Sequence, residues 1–234
     1  MAVCGSLMQI TEIYKSIQGE STHAGLACVF VRLTGCNLRC SWCDSEYTFT
    51  GGHRMSLEEV LEEVEHLSPD GGLVEITGGE PMLQEREVVP LMQRLLDDGY
   101  TVLLETSGER LLQRVPKGVV KIVDVKCPNS GEPDTFQMEN LEALEWNDEI
   151  KFVLSDRTDY EFARDFVARH RLPERVNAIL FSPAFSKESS GSRDTSHCLL
   201  DPRELAEWML ADNVPARLGL QQHKFIWDPA MKGV

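Results

Sequence analysis

Apolar positions along the chain follow two alternating rhythms. Short, nearly continuous apolar runs occur at 27–33, 73–77, 101–105, 119–125, 149–154, 178–182 and 216–220. Runs of this length between turn residues predict strands buried on both faces. Between several of them, apolar residues recur every three or four positions. Ser56 and Glu59 form a capping-box signature ahead of Val60, Leu61 and Val64. The stretch 85–97 carries Val88, Val89, Leu91, Met92, Leu95 and Leu96 and stops at Gly99. Helices are also predicted at 156–170 and 202–212, the second with Pro202 in its first turn after Asp201.

Alternating strand and helix predicts a mostly parallel sheet with right-handed crossovers. A closed eight-fold barrel takes about 250 residues. This chain has 234 and must also house a long cysteine-bearing loop, about 34–50. The expected fold class is α/β, an incomplete, open (β/α) barrel. No repeat, low-complexity tract or linker divides the chain. With 42% hydrophobic residues it can form one core, so a single domain over 1–234 is expected, closed by a segment at about 216–234. Ligands of such sheets gather at the C-terminal strand ends. The unusual residues fall there: the cysteine loop after 27–33, Gly78-Gly79-Glu80 after 73–77, and Thr106-Ser107-Gly108 after 101–105. Asp124 and Lys126 close the run at 119–125.

Charge narrows the range of partners. A formal net charge of −15 excludes broad electrostatic binding to nucleic acid, which needs a cationic face. The acidic run Glu58, Glu59, Glu62, Glu63 and Glu65 reads as a solvated helix face. No apolar run approaches the roughly 20 residues that span a bilayer, and no apolar signal-peptide core opens the sequence. Seven cysteines without a secretory signal imply a reducing, cytoplasmic setting.

Three of those cysteines carry the chemistry. Cys36, Cys40 and Cys43 form C-x3-C-x2-C. A closed zinc site or an ordinary cubane takes four protein ligands. Three thiolates on one loop leave a metal position open. A zinc knuckle would have to recruit His53, ten residues beyond Cys43. A disulfide framework would need an oxidising compartment and usually an even cysteine set. Cys4, Cys28, Cys127 and Cys198 have no ligand-like spacing, and Cys28 reads as core. The polar stretch 186–198 reads as a mobile loop. The spacing resembles that of the radical S-adenosylmethionine enzymes, where a [4Fe–4S] cluster binds the methionine moiety through its fourth iron. Thr77-Gly78-Gly79-Glu80-Pro81 resembles their glycine-rich motif for the methionine amino group.

The resemblance then narrows. "SIQGE", "FVRLTGCNLRCSWCD", "EITGGEPMLQ", "LLETSG", "DVKCP" and "LQQHKFIWDP" run from residue 13 to 229. Together they are similar to the 7-carboxy-7-deazaguanine synthase family. The resemblance implies cluster ligation by Cys36, Cys40 and Cys43. It implies adenosylmethionine contacts from Trp42, Cys43, Asp44, Gly79, Glu80, Asp124, Val125 and Lys126. It implies substrate contacts from Ile17, Gln18, Gly19, Glu20, Arg32, Thr77, Glu105 and His223. Arg32 would take the substrate carboxylate, and Glu105 the amino-pyrimidine edge. Without the resemblance, Arg32 reads as a strand-end salt bridge and His223 as structural. The family usually has Thr after Cys-Asp as a Mg²⁺ ligand. Ser45 stands here, keeping the hard oxygen without the methyl group.

The activity so implied is radical ring contraction of 6-carboxy-5,6,7,8-tetrahydropterin to 7-carboxy-7-deazaguanine with loss of ammonia. The implied partners are a flavodoxin or ferredoxin donor and a second copy in a homodimer. Two other classes compete. An activase that makes a glycyl radical on a partner protein would share the cysteine spacing. A small iron–sulfur or zinc module would need a fourth protein ligand.

Overall fold

A computed structural model describes residues 7–187, 194–228 and 231–234. One nine-stranded sheet organises them: β1 (Met8–Ile17), β2 (Ala27–Leu33), β3 (His53–Met55), β4 (Leu73–Gly78), β5 (Thr101–Thr106), β6 (Val120–Asp124), β7 (Glu149–Leu154), β8 (Ala178–Pro183) and β9 (Arg217–Leu218). Their order is β3-β1-β2-β4-β5-β6-β7-β8-β9. From β2 to β9 every pairing is parallel, while β1 is antiparallel to both β2 and β3. The two edge strands do not pair, so the fold is the open partial barrel expected.

The helices are α1 (Leu57–Leu67), α2 (Glu85–Asp97), α3 (Arg157–Arg169), α4 (Pro202–Asp212) and the single turn α5 (His223–Ile226). The capping box predicted for α1 is formed: Ser56 Oγ accepts from the Glu59 amide, and the Glu59 carboxylate accepts from the Ser56 amide at 2.7 Å. Asp156 and Asp201 cap α3 and α4 by accepting from the Asp159 and Arg203 amides, without the reciprocal bond.

Three features depart from the sequence reading, one of them the short edge strand β3, which no apolar run marks. β1 was not predicted, because its alternation is broken where the register shifts between Ile10 and Glu12. The expected buried strand at 216–220 shortens to β9, whose two residues are exposed at the sheet edge. Of the polar stretch 186–198, residues 188–193 lie outside the described residues. Its flanks meet through a bridge between Phe185 and Cys198.

Alternation along each strand splits the buried residues into two layers. Val29, Val31, Val74, Ile76, Val102 and Leu104 belong to the large core that includes the helices. Their strand neighbours Cys28, Phe30, Leu73, Leu103, Val120 and Ile122 form a separate apolar plug inside the barrel. Continuing each strand by two residues from that plug gives Arg32, Glu75, Glu105 and Asp124. The plug is therefore the floor, and the charged layer above it faces the site.

Candidate active site

The cysteine loop is pinned at both ends. The Gly35 amide donates to Thr48 O at 2.7 Å, and the Glu80 amide to Gly35 O at 2.8 Å. Gly79 presses on the start of this loop. A Cβ there would lie 2.1 Å from Gly35 O and 2.8 Å from Cys36 Cβ, so only glycine permits the approach. Ser41 N donates to Ser130 O at 2.7 Å, tying the middle of the loop to the turn after β6. Arg39 lies over the Phe49 ring at 4.1 Å and donates to the Cys36 and Leu38 carbonyls. Leu38 is buried.

Cys36, Cys40 and Cys43 line one pocket with Trp42, Asp44 and Ser45. Burial pushes the Cys40 thiol up to about 11 and raises Cys36 as well. Among the described residues, no three His, Cys, Asp or Glu side chains converge as a site for a single ion. A four-iron cluster is wider than one ion. Three thiols, with no fourth protein ligand among the described residues, fit a cluster that keeps one iron open. Across from them, Asp124 holds Lys126 through Oδ2 at 2.8 Å. Its Oδ1 is buried without a partner among the described residues, an acceptor ready for a ligand's hydroxyl or ammonium group. Val125 alone of the expected adenosylmethionine contacts turns away, into the outer core.

Glu80 is used by the protein itself. Its carboxylate accepts from Met82 N at 3.0 Å, Thr106 Oγ1 at 2.8 Å, Ser107 N at 2.9 Å and Ser107 Oγ at 2.7 Å. Those four bonds fill its acceptor positions and tie the turn after β4 to the end of β5.

The opposite wall is the connection between β1 and β2. Ile17, Gln18, Gly19 and Glu20 line the same pocket. Two residues on one face of β7 hold this loop. Lys151 Nζ donates to Glu20 Oε2 at 2.7 Å and to Glu105, while fully buried Glu149 accepts from the Thr22 amide and hydroxyl. Gln221 Nε2 reaches Glu20 Oε1 at 2.8 Å, and Gln222 N reaches Gly19 O at 2.9 Å. The C-terminal segment thus lies on the loop and brings His223 and Lys224 into the pocket. Burial lowers the pKa of His223. Lys224 pairs with Asp44 at 2.8 Å.

Electrostatics separate the three carboxyl groups around Lys151. Burial opposes ionisation of Glu20, but Lys151 and His223 outweigh it and hold the group down to about 2. Burial, then the neighbouring Glu105, push Glu75 up to about 8. Desolvation also wins at Glu105, pushed up to about 7 despite Lys151. Thr77 completes this layer. Arg32 donates through Nε to Glu12 at 2.9 Å and through Nη2 to Tyr14 at 2.7 Å. Both sequence readings of Arg32 thus have a counterpart. It is salt-bridged at the strand end, and its Nη1 has no protein partner among the described residues.

A curated 7-carboxy-7-deazaguanine synthase from Koribacter versatilis (strain Ellin345) is 65% identical over 227 residues, covering 97% of this chain and 100% of the relative. The chain belongs to the 7-carboxy-7-deazaguanine synthase family. A second synthase, from Chlorobaculum tepidum, is 39% identical over 97% of both chains. The Radical SAM superfamily model matches residues 30–125, from β2 to the residue after β6. Among solved structures, the crystal structure of QueE from Escherichia coli matches with a TM-score of 0.73, 24% identity, and coverage of 93% of this chain and 95% of that one. At that identity the likeness concerns the fold alone.

The family resemblance thus stands, and 18 of the 19 residues it singled out line one pocket, Val125 excepted. The sequence reading missed Tyr14, Glu75, Lys151, Gln221 and Lys224, all of which line it too. Glu75 and Lys151 carried a signal. A charged residue inside an otherwise apolar strand is rarely buried without a task. Gln221 and Lys224 had none, because only folding brings residues 221–224 over the β1–β2 loop.

Proposed function

We infer that the chain is a radical S-adenosylmethionine enzyme of 7-deazapurine biosynthesis that converts 6-carboxy-5,6,7,8-tetrahydropterin to 7-carboxy-7-deazaguanine with release of ammonia. The observation that carries this reading is one pocket joining the three-thiol loop to the Gln18–Glu20 loop, in a chain 65% identical to a named synthase along its whole length. The whole chain acts as one unit, because the C-terminal segment completes that pocket. An activase reading is not favoured, since family membership runs through the pocket's substrate side as well.

When bound and reduced, the cluster with adenosylmethionine supplies the hydrogen-atom abstraction that starts the ring contraction. Cys36, Cys40 and Cys43 would hold the cluster. Asp124 and Lys126 would hold the nucleoside and the amino-acid end of the cofactor, beside Trp42, Asp44 and the Gly79-Glu80 turn. Arg32, anchored by Glu12 and Tyr14, offers its remaining N–H groups to the substrate carboxylate. Gln18, Gly19, Glu20, Thr77, Glu105 and His223 would orient the pterin over the apolar plug. Loop 17–20 and residues 221–224 shield the pocket from water.

Ser45 supports a place for Mg²⁺. Its hydroxyl lines the pocket with only a 3.7 Å contact to Cys43 Sγ, so the oxygen is available as a hard ligand. We further assign a flavodoxin or ferredoxin donor, a homodimer and a cytoplasmic setting, in keeping with the family resemblance. Among the described residues, no helix is long and apolar enough to cross a membrane.

The test is anaerobic turnover. The reconstituted enzyme, given dithionite, adenosylmethionine, Mg²⁺ and 6-carboxytetrahydropterin, should form 7-carboxy-7-deazaguanine by mass spectrometry, and Cys40→Ala should form none. Cofactor cleavage without that product would refute the substrate assignment. Ser45→Thr should lower the Mg²⁺ concentration needed for half-maximal rate, and Ser45→Ala should raise it.

A further inference from the structure

Glu75 has no part in the roles assigned above. It sits on the pocket face of β4, two residues before Thr77, and is 5% exposed. Its Oε2 accepts a hydrogen bond from Nε2 of Gln18, and the carboxyl group has no second hydrogen-bond partner among the described residues. The Gln18 amide is held from its other end as well, where Oε1 accepts the Glu20 backbone N–H at 3.0 Å. A backbone N–H can only donate. The amide oxygen must therefore face Glu20, and the NH₂ group must face Glu75. With both ends engaged, one N–H of Gln18 remains for a ligand.

We propose that Glu75 is a positioning residue for substrate recognition: by accepting from Gln18 it holds the NH₂ end of the amide in place, so that Gln18 presents its remaining N–H to the substrate as a hydrogen-bond donor. The matching chemistry on the substrate is a ring nitrogen or carbonyl oxygen with a free lone pair, as in the pyrimidinone ring of a pterin. This rests on the reading of function above. A carboxyl group suits the task because it presents an accepting oxygen in either protonation state. The surroundings favour the neutral form. Glu20 and Glu105 occupy Lys151, Glu12 and Tyr14 engage Arg32, and burial, then repulsion from Glu105, raises Glu75 to about 8. A neutral acid at this depth avoids the cost of a buried, unpaired charge.

A double-mutant cycle tests the assignment, using Gln18→Ala, Glu75→Leu, their combination, and Glu75→Gln in the turnover assay. Glu75→Leu leaves the amide held only at its oxygen, by the Glu20 N–H, so its NH₂ end is no longer fixed. It should raise KM for 6-carboxytetrahydropterin about tenfold while kcat stays within about twofold. Glu75→Gln keeps an accepting oxygen and should stay within about threefold of wild type in KM. In the Gln18→Ala background, Glu75→Leu should add nothing. Glu75→Val replaces Leu in the cycle if the larger side chain prevents folding. Effects of Gln18→Ala and Glu75→Leu that multiply would overturn the proposal, because Glu75 would then act without Gln18. Glu75→Gln as impaired as Glu75→Leu would overturn it too, since the acceptor would not be what matters. A wild-type enzyme that forms no 7-carboxy-7-deazaguanine would refute the reading of function, and this inference with it.

Discussion

His223 packs against Gly19 so closely that a Cβ at position 19 would lie 2.2 Å from its Nδ1 and 3.0 Å from its backbone nitrogen. The substrate loop and the C-terminal segment are thus in contact through the absence of a side chain. Gly19→Ala must displace His223 or the loop, and the Gln222 N to Gly19 O hydrogen bond joins the two backbones at that point. The variant should lose more than about tenfold in kcat/KM through misplacement of the pocket wall, with little change in Tm. Steady-state kinetics beside a thermal melt would decide it, and unchanged kinetics would show that the contact has no part in function.

The raised carboxyl groups predict how stability depends on pH. In the unfolded chain Glu75 and Glu105 titrate near about 4.3; folded, they are pushed up to about 8 and about 7. Between these limits the folded protein binds more protons than the unfolded chain. These two groups should therefore make stability fall as pH rises from about 5 to about 8, while His223, lowered by burial, works against them near the ordinary histidine value. Glu20, held down to about 2, acts in the opposite sense, but only below about pH 4.3, where its stabilisation is lost. The cluster-free protein should melt several degrees lower at pH 8 than at pH 5.5, and Glu75→Gln should reduce that slope. An equal slope in the variant would remove Glu75 as its source.

Lys121 and Asp148 form a 2.9 Å ion pair with side chains 3% and 0% exposed. Asp148 also accepts the Lys121 and Glu145 amides at 2.7 and 2.6 Å. Lys121→Ala would leave that carboxylate buried without its cation and should cost about 3 kcal/mol or more in urea denaturation. Lys121→Met with Asp148→Asn removes both charges and should cost clearly less. Equal losses would mean that packing, and not the pair, governs the site.

At Glu80 the conservative substitution should fail. All four bonds to its carboxylate come from donors. A glutamine there must turn its NH₂ toward the Ser107 amide or toward Met82 N, donor against donor. Glu80→Gln should therefore destabilise by about 2 kcal/mol, as much as Glu80→Ala. Both should lower the iron retained per chain, because this turn backs the cysteine loop. Chemical denaturation and iron analysis would check this, and a Glu80→Gln protein with wild-type stability would refute it.

Much of the architecture was legible where one local rule acted alone. The capping box of α1, the bounds of α4 and the strands β2, β4, β5, β7 and β8 follow from apolar run length and helix periodicity. β1 escaped because a register shift interrupts its alternation. β9 was overestimated because an edge strand pairs on one side only, and its length depends on what β8 offers. Position within a strand was also hidden. When both faces are buried, the residues before Glu75 look alike whether they pack on helices or on the barrel plug.

The sequence alone determined the chemistry, because C-x3-C-x2-C and the Gly-Gly-Glu turn are local. Their ligands and close approaches come from residues adjacent in the chain. It also determined the family, through motifs spread from residue 13 to 229. Only the tertiary structure decided which charges share a space. Lys151 meets Glu20 across 131 residues, and Gln221 meets Glu20 across 201. Glu75 rises while Glu20 falls because burial and the placement of a single lysine act together on three carboxyl groups. Such couplings depend on distances of a few ångströms between remote segments, and no spacing along the chain encodes them.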